Sequence, residues 1–322
     1  MTTLEQMPTP QKSSVAELLA SLPGETRTEL LDSVDPETAR LLLYDWKFWA
    51  RPDQLEPDGE LWSTWLVMAG RGFGKTRTGA EWLKDKARRP MHRLALVAPT
   101  AGDARDIMVE GESGLLACYP RDDRPRYEPS KRRITWRNGT QATVYSADEP
   151  ERLRGPQHHY AWADEIAAWK YPGAWDMLMF GMRLGVRPRT IATTTPKPRK
   201  FIIDLVDDPG TWVTYGSTYD NRQNLAGTFL TQIVKKYEGT TLGRQELSGE
   251  LLRESPGALW KRDQIDALRV TAAPPLIRLV VAIDPAASSG EESDETGIIV
   301  AGKGNDGHAY VLNDVSGRYS PD

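Results

Sequence analysis

Residues 61–76 read LWSTWLVMAGRGFGKT, and this stretch decides the fold. The apolar run at 61–69 predicts a buried strand, and the segment TRTGAEWLKDKARR at 76–89 has the apolar spacing of a helix. Between them, AGRGFGKT fits the Walker A pattern of a phosphate-binding loop, with alanine in place of the first glycine. The alternative is a chance glycine-rich turn, but a strand before the loop and a helix after it favour a phosphate site.

Each residue type in this loop suits a phosphate group. Gly72 and Gly74 allow a tight turn that presents backbone N–H groups to phosphate oxygens, and the next helix adds its positive end. We expect Lys75 to reach the β and γ phosphates and the Thr76 hydroxyl to ligate Mg²⁺. ATP and Mg²⁺ are therefore the predicted cofactors, with the nucleotide bound by Gly70, Arg71, Gly72, Phe73, Gly74, Lys75 and Thr76.

A second motif supplies the carboxylates that ATP hydrolysis needs. Residues 158–165 read HHYAWADE, an apolar strand that ends in two acids. Alone, such a run usually means only a strand that ends in solvent. Because it follows the loop by about ninety residues, we interpret it as a Walker B box. Asp164 is then a metal ligand, and Glu165 is the catalytic base that orients and deprotonates water.

Arginines at two places in the sequence are candidates for stabilising the γ-phosphoryl group during hydrolysis. Arg71 lies inside the loop and is predicted to act on the nucleotide of its own subunit. The segment ERLRG at 151–155 offers Arg152 and Arg154, either of which would reach a neighbouring subunit, and we favour Arg154 as catalytic. The alternative for both is ordinary solvation of a surface arginine.

Two further segments suit a nucleotide-driven machine. In IATTT, which Pro196 follows, the hydroxyls of Thr193, Thr194 and Thr195 are predicted to sense the γ-phosphate, and Thr194 is the one predicted to bind the nucleotide. A threonine-rich strand capped by proline fits the same residues as well. In ARPDQL, Arg51 and Gln54 precede the loop strand and are the predicted adenine contacts, because a glutamine amide matches the base edge.

The order of elements predicts an α/β fold. Strands and helices alternate as in an ASCE-type P-loop NTPase, whose sheet is mostly parallel and flanked by helices. One hairpin interrupts that pattern, at Asn138-Gly139 between two β-favouring runs. The predicted organisation is an N-terminal helical segment at 1–50, the ATPase domain at 51–222, a helical lid or linker at 223–272, and an incomplete β-rich domain at 273–322.

Composition narrows the environment and the partners. The chain has 322 residues, a net charge of −4 and a single cysteine, and its apolar runs are far too short to span a bilayer. We therefore expect a cytoplasmic protein with no membrane partner. DNA contact would have to come from local basic clusters at 131–137 and 187–200, which solvated loops would explain equally well.

Together these motifs resemble the large terminase subunit of tailed bacteriophages. The resemblance spans roughly residues 40–320 and rests on ARPDQL, GRGFGKTRTGAEW, ERLRG before YAWADE, TTTP, and LGRQELSGELL followed by PGALW. It implies an ATPase that translocates double-stranded DNA into a prohead as a homo-oligomeric ring, expected to be a pentamer. It also implies a portal protein and a small terminase subunit as partners, in the cytoplasm of an infected or lysogenic bacterial host and transiently at the prohead portal.

The resemblance further implies an RNase H-like nuclease domain at the C-terminal end. Asp284, at the end of LVVAID, matches the first metal-binding acid of that nuclease and is a predicted catalytic and metal residue. Asp294 and Asp314 are nearby acids that we do not equate with the later ones, which should lie beyond Asp322. We therefore expect no DNA cleavage by this chain.

Two other functions remain open at the level of sequence. One is a P-loop enzyme of another class, either a helicase-like remodeller or a small-molecule phosphotransferase. The other is a nucleotide-binding assembly module that never hydrolyses ATP.

Overall fold

A computed structural model of the chain describes residues 13–252, 262–285, 296–317 and 319. The chain divides into two compact units, Met1–Pro256 and Gly257–Asp322. The four-segment division made from the sequence stays a prediction.

The first unit is built on an eight-stranded sheet in the order β3-β4-β5-β2-β6-β7-β1-β8. Strands β5, β2, β6, β7, β1 and β8 are parallel, whereas β3 and β4 add an antiparallel edge. The mostly parallel sheet predicted from the sequence is thus confirmed. The strands are β1 Thr64–Ala69, β2 Arg93–Ala98, β3 Arg126–Glu128, β4 Arg133–Thr135, β5 Gln141–Ser146, β6 Tyr160–Ala163, β7 Arg189–Thr194 and β8 Thr211–Gly216.

Helices and short turns connect these strands. The α-helices of this unit are α1 Val15–Ser21, α2 Gly24–Asp32, α3 Pro36–Leu42, α4 Trp46–Trp49, α5 Lys75–Lys86, α6 Ala101–Asp103, α7 Gly173–Gly181, α8 Lys200–Asp207, α9 Gly227–Phe229, α10 Lys235–Tyr237 and α11 Thr241–Glu246. Two π-helical segments follow α6 and α9, at Ala104–Val109 and Leu230–Val234. Short 3₁₀ segments lie at Pro52–Gln54, Leu115–Cys118, Arg121–Asp123, Pro129–Lys131, Pro150–Leu153, Ile166–Ala168 and Thr218–Asn224.

Both faces of the sheet are covered, because the central strands are apolar on each side. In β1, Trp65 and Val67 belong to the core on the α5 side, and Leu66 and Met68 to the core on the α7 and α8 side. This alternation follows from the two-residue period of a strand. A Cβ added to Gly79 in α5 would lie 2.2 Å from Nε1 of Trp162. The loop helix therefore packs closely against β6, the Walker B strand.

The N-terminal appendage is helical, as predicted, and its helix starts follow local capping rules. Ser14 and Glu17 form a capping box at α1, and the Asp35 carboxylate accepts from the backbone at the start of α3. Lys84 of α5 donates to the carbonyl of Tyr44 at 2.9 Å, which ties the appendage to the loop helix.

The hairpin predicted at Asn138-Gly139 is confirmed. Strands β4 and β5 are antiparallel, and Gly139 has a φ of +83° that favours glycine. The Asn138 side chain donates to the carbonyl of Ala87 at 2.8 Å, so the hairpin also contacts the end of α5.

The second unit holds helix α12 Arg262–Ala267 and a three-stranded antiparallel sheet in the order β11-β10-β9. Its strands are β9 Leu276–Asp284, β10 Gly297–Gly304 and β11 Ala309–Asp314. The three strands agree with the β-rich character predicted for residues 273–322, but their RNase H-like identity stays a prediction. None of the helices in the described ranges is both long and apolar enough to cross a bilayer.

Candidate nucleotide-binding site

The Walker A loop joins β1 to α5 and adopts a backbone that only glycine accepts readily. Gly72 has a φ of +74° and Gly74 a φ of +102°, both in the left-handed region. Gly74 directly precedes the first residue of α5, so the loop delivers the chain to the positive end of a twelve-residue helix. The backbone thus has the form that the sequence predicted for a phosphate site.

Lys75 is buried, and its ammonium group is surrounded by oxygen atoms. Its Nζ atom donates to the carbonyls of Ala69 at 3.0 Å and Gly70 at 3.2 Å, and to the Thr195 hydroxyl at 3.1 Å. The same nitrogen lies 3.6 Å from Oε1 of Glu165. The cation is therefore held between the Walker A loop, the end of β7 and the predicted catalytic base.

Glu165 follows β6 in a conformation that is rare for a residue with a side chain. Its φ of 47° and ψ of 47° place it in the left-handed region, which costs an L-residue about 1–2 kcal/mol. Its Oε2 atom accepts from the Thr195 N–H at 3.1 Å. The strained backbone thus directs this carboxylate toward Lys75 and the end of β7.

The Asp164 carboxyl group is buried and lies close to a second acid, Glu165. The pKa of its carboxyl group is raised to about 7, mainly by burial and also by the neighbouring Glu165 carboxylate, while the Thr193 hydroxyl bond and Lys75 act in the opposite direction. The Thr193 hydroxyl donates to Oδ1 of Asp164. One buried carboxylate and the Thr76 hydroxyl are donors of the type that Mg²⁺ uses with nucleotide phosphates. The residues present therefore fit a magnesium ion.

Thr193 and Thr194 end β7, Thr195 directly follows it, and the three threonines have different partners. Thr193 binds Asp164, and Thr195 binds Lys75 and Glu165. The hydroxyl of Thr194, the threonine predicted to bind the nucleotide, instead donates to the Thr195 carbonyl at 3.0 Å and accepts from Ala167 N at 3.1 Å. The structure thus brings Thr193 and Thr195, rather than Thr194, to the charged groups of the site.

Arg51 contacts the Walker A loop, and Gln54 contacts the first turn of α5. The Arg51 Nη2 atom donates to the Phe73 carbonyl at 2.6 Å, and its guanidinium lies 4.8 Å from the centre of the Phe73 ring. The Gln54 amide accepts from Arg51 N at 3.3 Å and donates to the Thr78 hydroxyl at 3.1 Å. The oxygen and the nitrogen of the Gln54 amide, which we expected to bind adenine, therefore both have hydrogen-bond partners within the protein.

A sequence family model matches residues 66–267, well over half of the chain, and is described as terminase large subunit, T4likevirus-type, N-terminal. The chain belongs to this terminase family. The match includes the Walker A loop, the Walker B strand and the β7 threonines. No curated protein matches the chain in a sequence search.

Solved structures that share the fold are also terminases. The ATPase domain of the Thermus phage P74-26 large terminase has a TM-score of 0.51 and 15% identity over 68% of this chain and 98% of that one. The large terminase of a thermophilic bacteriophage, in complex with ADP, has a TM-score of 0.52 and 15% identity over 86% and 67%. The HK97 bacteriophage large terminase has a TM-score of 0.52 and 16% identity over 87% and 62%.

The candidate arginines of this terminase lie at the surface. Arg71 has a 70% exposed side chain, and its Nε atom is paired with the Glu246 carboxylate. Arg154 has a 75% exposed side chain, 3.6 Å from Glu151, and Arg152 lies 2.8 Å from Glu149. Each arginine is thus held by a carboxylate and is accessible to solvent.

Carboxylates also offset the two basic clusters. Lys131 lies 2.7 Å from Glu128, and Arg132 lies 2.7 Å from Glu149. In the second cluster, Arg187 lies 2.6 Å from Glu60. Charge alone therefore does not assign either cluster to DNA.

The predicted nuclease residue lies in the other unit. Asp284 ends β9 opposite Gly297, and Asp314 ends β11 opposite Ile299, so both acids lie at the same end of the small sheet. Asp294 falls outside the described residues. Within the described parts of the chain, no three His, Cys, Asp or Glu side chains are grouped closely enough to hold a metal ion.

Proposed function

We propose that this chain hydrolyses ATP and uses the energy to move double-stranded DNA into a prohead, as the motor of a viral packaging terminase. The observation that carries the proposal is the contact of Lys75 with both Thr195 and Glu165 at the carboxyl edge of the parallel sheet. This arrangement joins a phosphate-binding lysine to a base and to a third strand that can respond to the nucleotide. Membership of the terminase family supports it, as does the ADP complex of a relative that shares the fold.

In the proposed reaction, each of these groups has one task. The loop N–H groups and Lys75 bind the phosphates, and Glu165 orients a water molecule and accepts its proton as the oxygen attacks the γ-phosphorus. The bond from the γ-phosphorus to the β,γ-bridging oxygen breaks, and ADP leaves with that oxygen while inorganic phosphate is released. Thr76 and Asp164 would hold Mg²⁺, which neutralises phosphate charge when bound. Glu165 suits the role of base because Thr195 N–H fixes one carboxylate oxygen and leaves the other near Lys75.

Nucleotide binding would have to redistribute the bonds of Lys75. In the structure its three donors are used by Ala69, Gly70 and Thr195. Phosphate oxygens carry more charge than carbonyls, so we expect them to replace the two loop carbonyls. A shift of Lys75 would then move Thr195 through their hydrogen bond, and with it the end of β7. We propose that the protein senses bound phosphate in this way.

The arginines and the partners belong to the same proposal. Arg71 would leave Glu246 and turn to the γ-phosphoryl group of its own subunit, and Arg154 would reach the nucleotide of the next subunit in a homo-oligomeric ring, expected to be a pentamer. We further propose double-stranded DNA, a portal protein and a small terminase subunit as partners, in the cytoplasm of the bacterial host. Asp284 would be the first metal-binding acid of a nuclease domain.

The test is ATP hydrolysis and DNA movement by the wild type and Lys75→Ala. Linear double-stranded DNA should accelerate ATP hydrolysis by the wild type, and a triplex-forming strand bound to that DNA should be displaced as the motor advances. Lys75→Ala should do neither. Turnover by the wild type that is indifferent to DNA would instead support a P-loop enzyme of another class.

A further inference from the structure

Five consecutive carbonyls of the Walker A loop accept hydrogen bonds, and the donors fall into two groups. Lys75 binds the first two, those of Ala69 and Gly70. The next three belong to Arg71, Gly72 and Phe73, and their donors come from outside the loop. Thr218 Oγ1 binds Arg71 O, Asn221 Nδ2 binds Gly72 O and Arg51 Nη2 binds Phe73 O, each at 2.6 Å.

The three outside donors form one connected unit. The Oδ1 atom of Asn221 accepts from Arg51 Nη1 at 2.9 Å, so Arg51 and Asn221 hold each other as well as the loop. The orientation of the Asn221 amide is fixed, because a guanidinium can only donate and a carbonyl can only accept. Thr218 and Asn221 lie in one short segment, Thr218–Asn224, which kinks at Asn221. The start of this segment is closed by a capping box between Ser217 and Asp220.

The direction of these bonds matters for phosphate binding. In a loop that cradles phosphate, successive N–H groups must face the ligand, so the carbonyls between them must face elsewhere. An unheld loop would sample many backbone arrangements, and ordering it on binding would weaken affinity. Donors behind the carbonyls remove that loss because they fix the peptide planes before the phosphate arrives.

We propose that Thr218, Asn221 and Arg51 are positioning residues, which hold the Walker A loop in its phosphate-binding form through these three carbonyls. This inference rests on the proposed nucleotide function and reassigns Arg51 from adenine recognition to loop support. Asn221 is the centre of the unit because it contacts both the loop and Arg51. The three residues act on the phosphates through the loop and make no direct contact with the base.

The test compares two ligands, ADP with Mg²⁺ and inorganic pyrophosphate with Mg²⁺, by competition against a fluorescent ADP analogue. Asn221→Asp keeps an acceptor for Arg51 but cannot donate to Gly72 O. Thr218→Val removes only the hydroxyl, and Thr218→Ser restores it. Gln223→Ala is the matched control, because Gln223 is exposed in the same segment and its side chain has no hydrogen bond among the described residues.

We expect Asn221→Asp and Thr218→Val each to weaken both ligands by about tenfold, the scale of one lost hydrogen bond to a constrained group. Thr218→Ser and Gln223→Ala should bind both ligands within about twofold of the wild type. The thermal midpoint of each variant without ligand separates loop positioning from loss of folding. A global loss of stability would lower that midpoint, whereas a pure positioning effect would change affinity in a protein that is still folded.

Three outcomes would overturn the inference. Wild-type affinity in both folded loss variants would show that the carbonyl bonds do not prepare the loop. Weaker ADP binding with unchanged pyrophosphate binding would return Arg51 and its neighbours to a role in base recognition. Failure of the wild type itself to bind either ligand would overturn the proposed function as well, and is thus distinguishable from the first two results.

Discussion

His158 gives the sharpest prediction about the stability of the Walker B strand. It lies two residues before β6, the strand that leads to Asp164, is 3% exposed, and packs edge-on against the ring of Tyr145. Neither ring nitrogen has a hydrogen-bond partner among the described residues. The pKa of His158 is lowered from 6.5 to about 4, mainly by burial and to a smaller extent by the charges of Arg93 and His159.

The sign of the effect follows from where the proton binds. Between pH 6.5 and pH 4 the unfolded chain protonates this histidine and the folded chain does not, so stability falls as the pH falls. The contribution is intact above pH 6.5. At pH 4.5, which is two pH units below the pKa of 6.5 in the unfolded chain, His158 is protonated in the unfolded state and still mostly neutral in the folded state. Each of these units corresponds to about 1.4 kcal/mol of lost stability. The loss assigned to His158 is therefore on the order of 3 kcal/mol.

The assay is the free energy of unfolding in urea, for the wild type and His158→Phe, at pH 7.5 and pH 4.5. Phenylalanine keeps a ring beside Tyr145 and cannot be protonated. The wild type should lose about 2–3 kcal/mol more than His158→Phe between the two pH values, since other titrating groups cancel in the comparison. His308→Gln, at an exposed site in the other unit, is the control and should behave like the wild type. An identical pH dependence in the wild type and His158→Phe would refute the reasoning.

Three further predictions follow from the packing and chemistry of the site. Gly79→Ala should destabilise the protein by about 1–3 kcal/mol, because the new Cβ would lie 2.2 Å from Nε1 of Trp162. Gly24→Ala, where no atom lies within 4 Å of the added Cβ, should leave the thermal midpoint unchanged or raised, and equal effects would contradict the packing argument. Thr195→Val should slow ATP hydrolysis by roughly tenfold, because it removes the hydroxyl that contacts Lys75. Thr194→Val should instead lower the thermal midpoint and leave the hydrolysis rate unchanged. The reverse pattern would make Thr194 the sensor. The purified chain should not cut DNA, and metal-dependent cleavage that disappears in Asp284→Ala would show this expectation to be wrong.

Sequence patterns were sufficient where the physics is local. The Walker A loop follows from glycines at fixed spacing, the helix starts from Ser14 and Asp35, and the hairpin from Asn138-Gly139. Each of these signals lies within a few residues of the structure that it predicts.

Contacts made across the fold gave no such signal. Thr218, Asn221 and Glu246 bind a loop that precedes them by 147, 149 and 175 residues, and nothing in their local sequence indicates that partner. The left-handed backbone of Glu165 is likewise imposed by its surroundings, since glutamate has no preference for it. For the β7 threonines a usable signal did exist. Because side chains alternate along a strand, Thr193 and Thr195 lie on one face and Thr194 lies on the other. The side chains that contact Asp164 and Lys75 from one face must therefore be either Thr193 and Thr195 together or Thr194 alone.

The most direct test of the central claim is phosphate release from ATP by the wild type and Glu165→Gln, with linear double-stranded DNA and over a range of protein concentrations. Glutamine keeps an acceptor for Thr195 N–H but cannot take a proton from water. We predict that Glu165→Gln binds ADP as the wild type does and releases phosphate about 10²–10⁴-fold more slowly, the usual contribution of a general base. The wild-type rate per subunit should rise with concentration as subunits associate into a ring. Equal phosphate release by the two proteins would contradict the account.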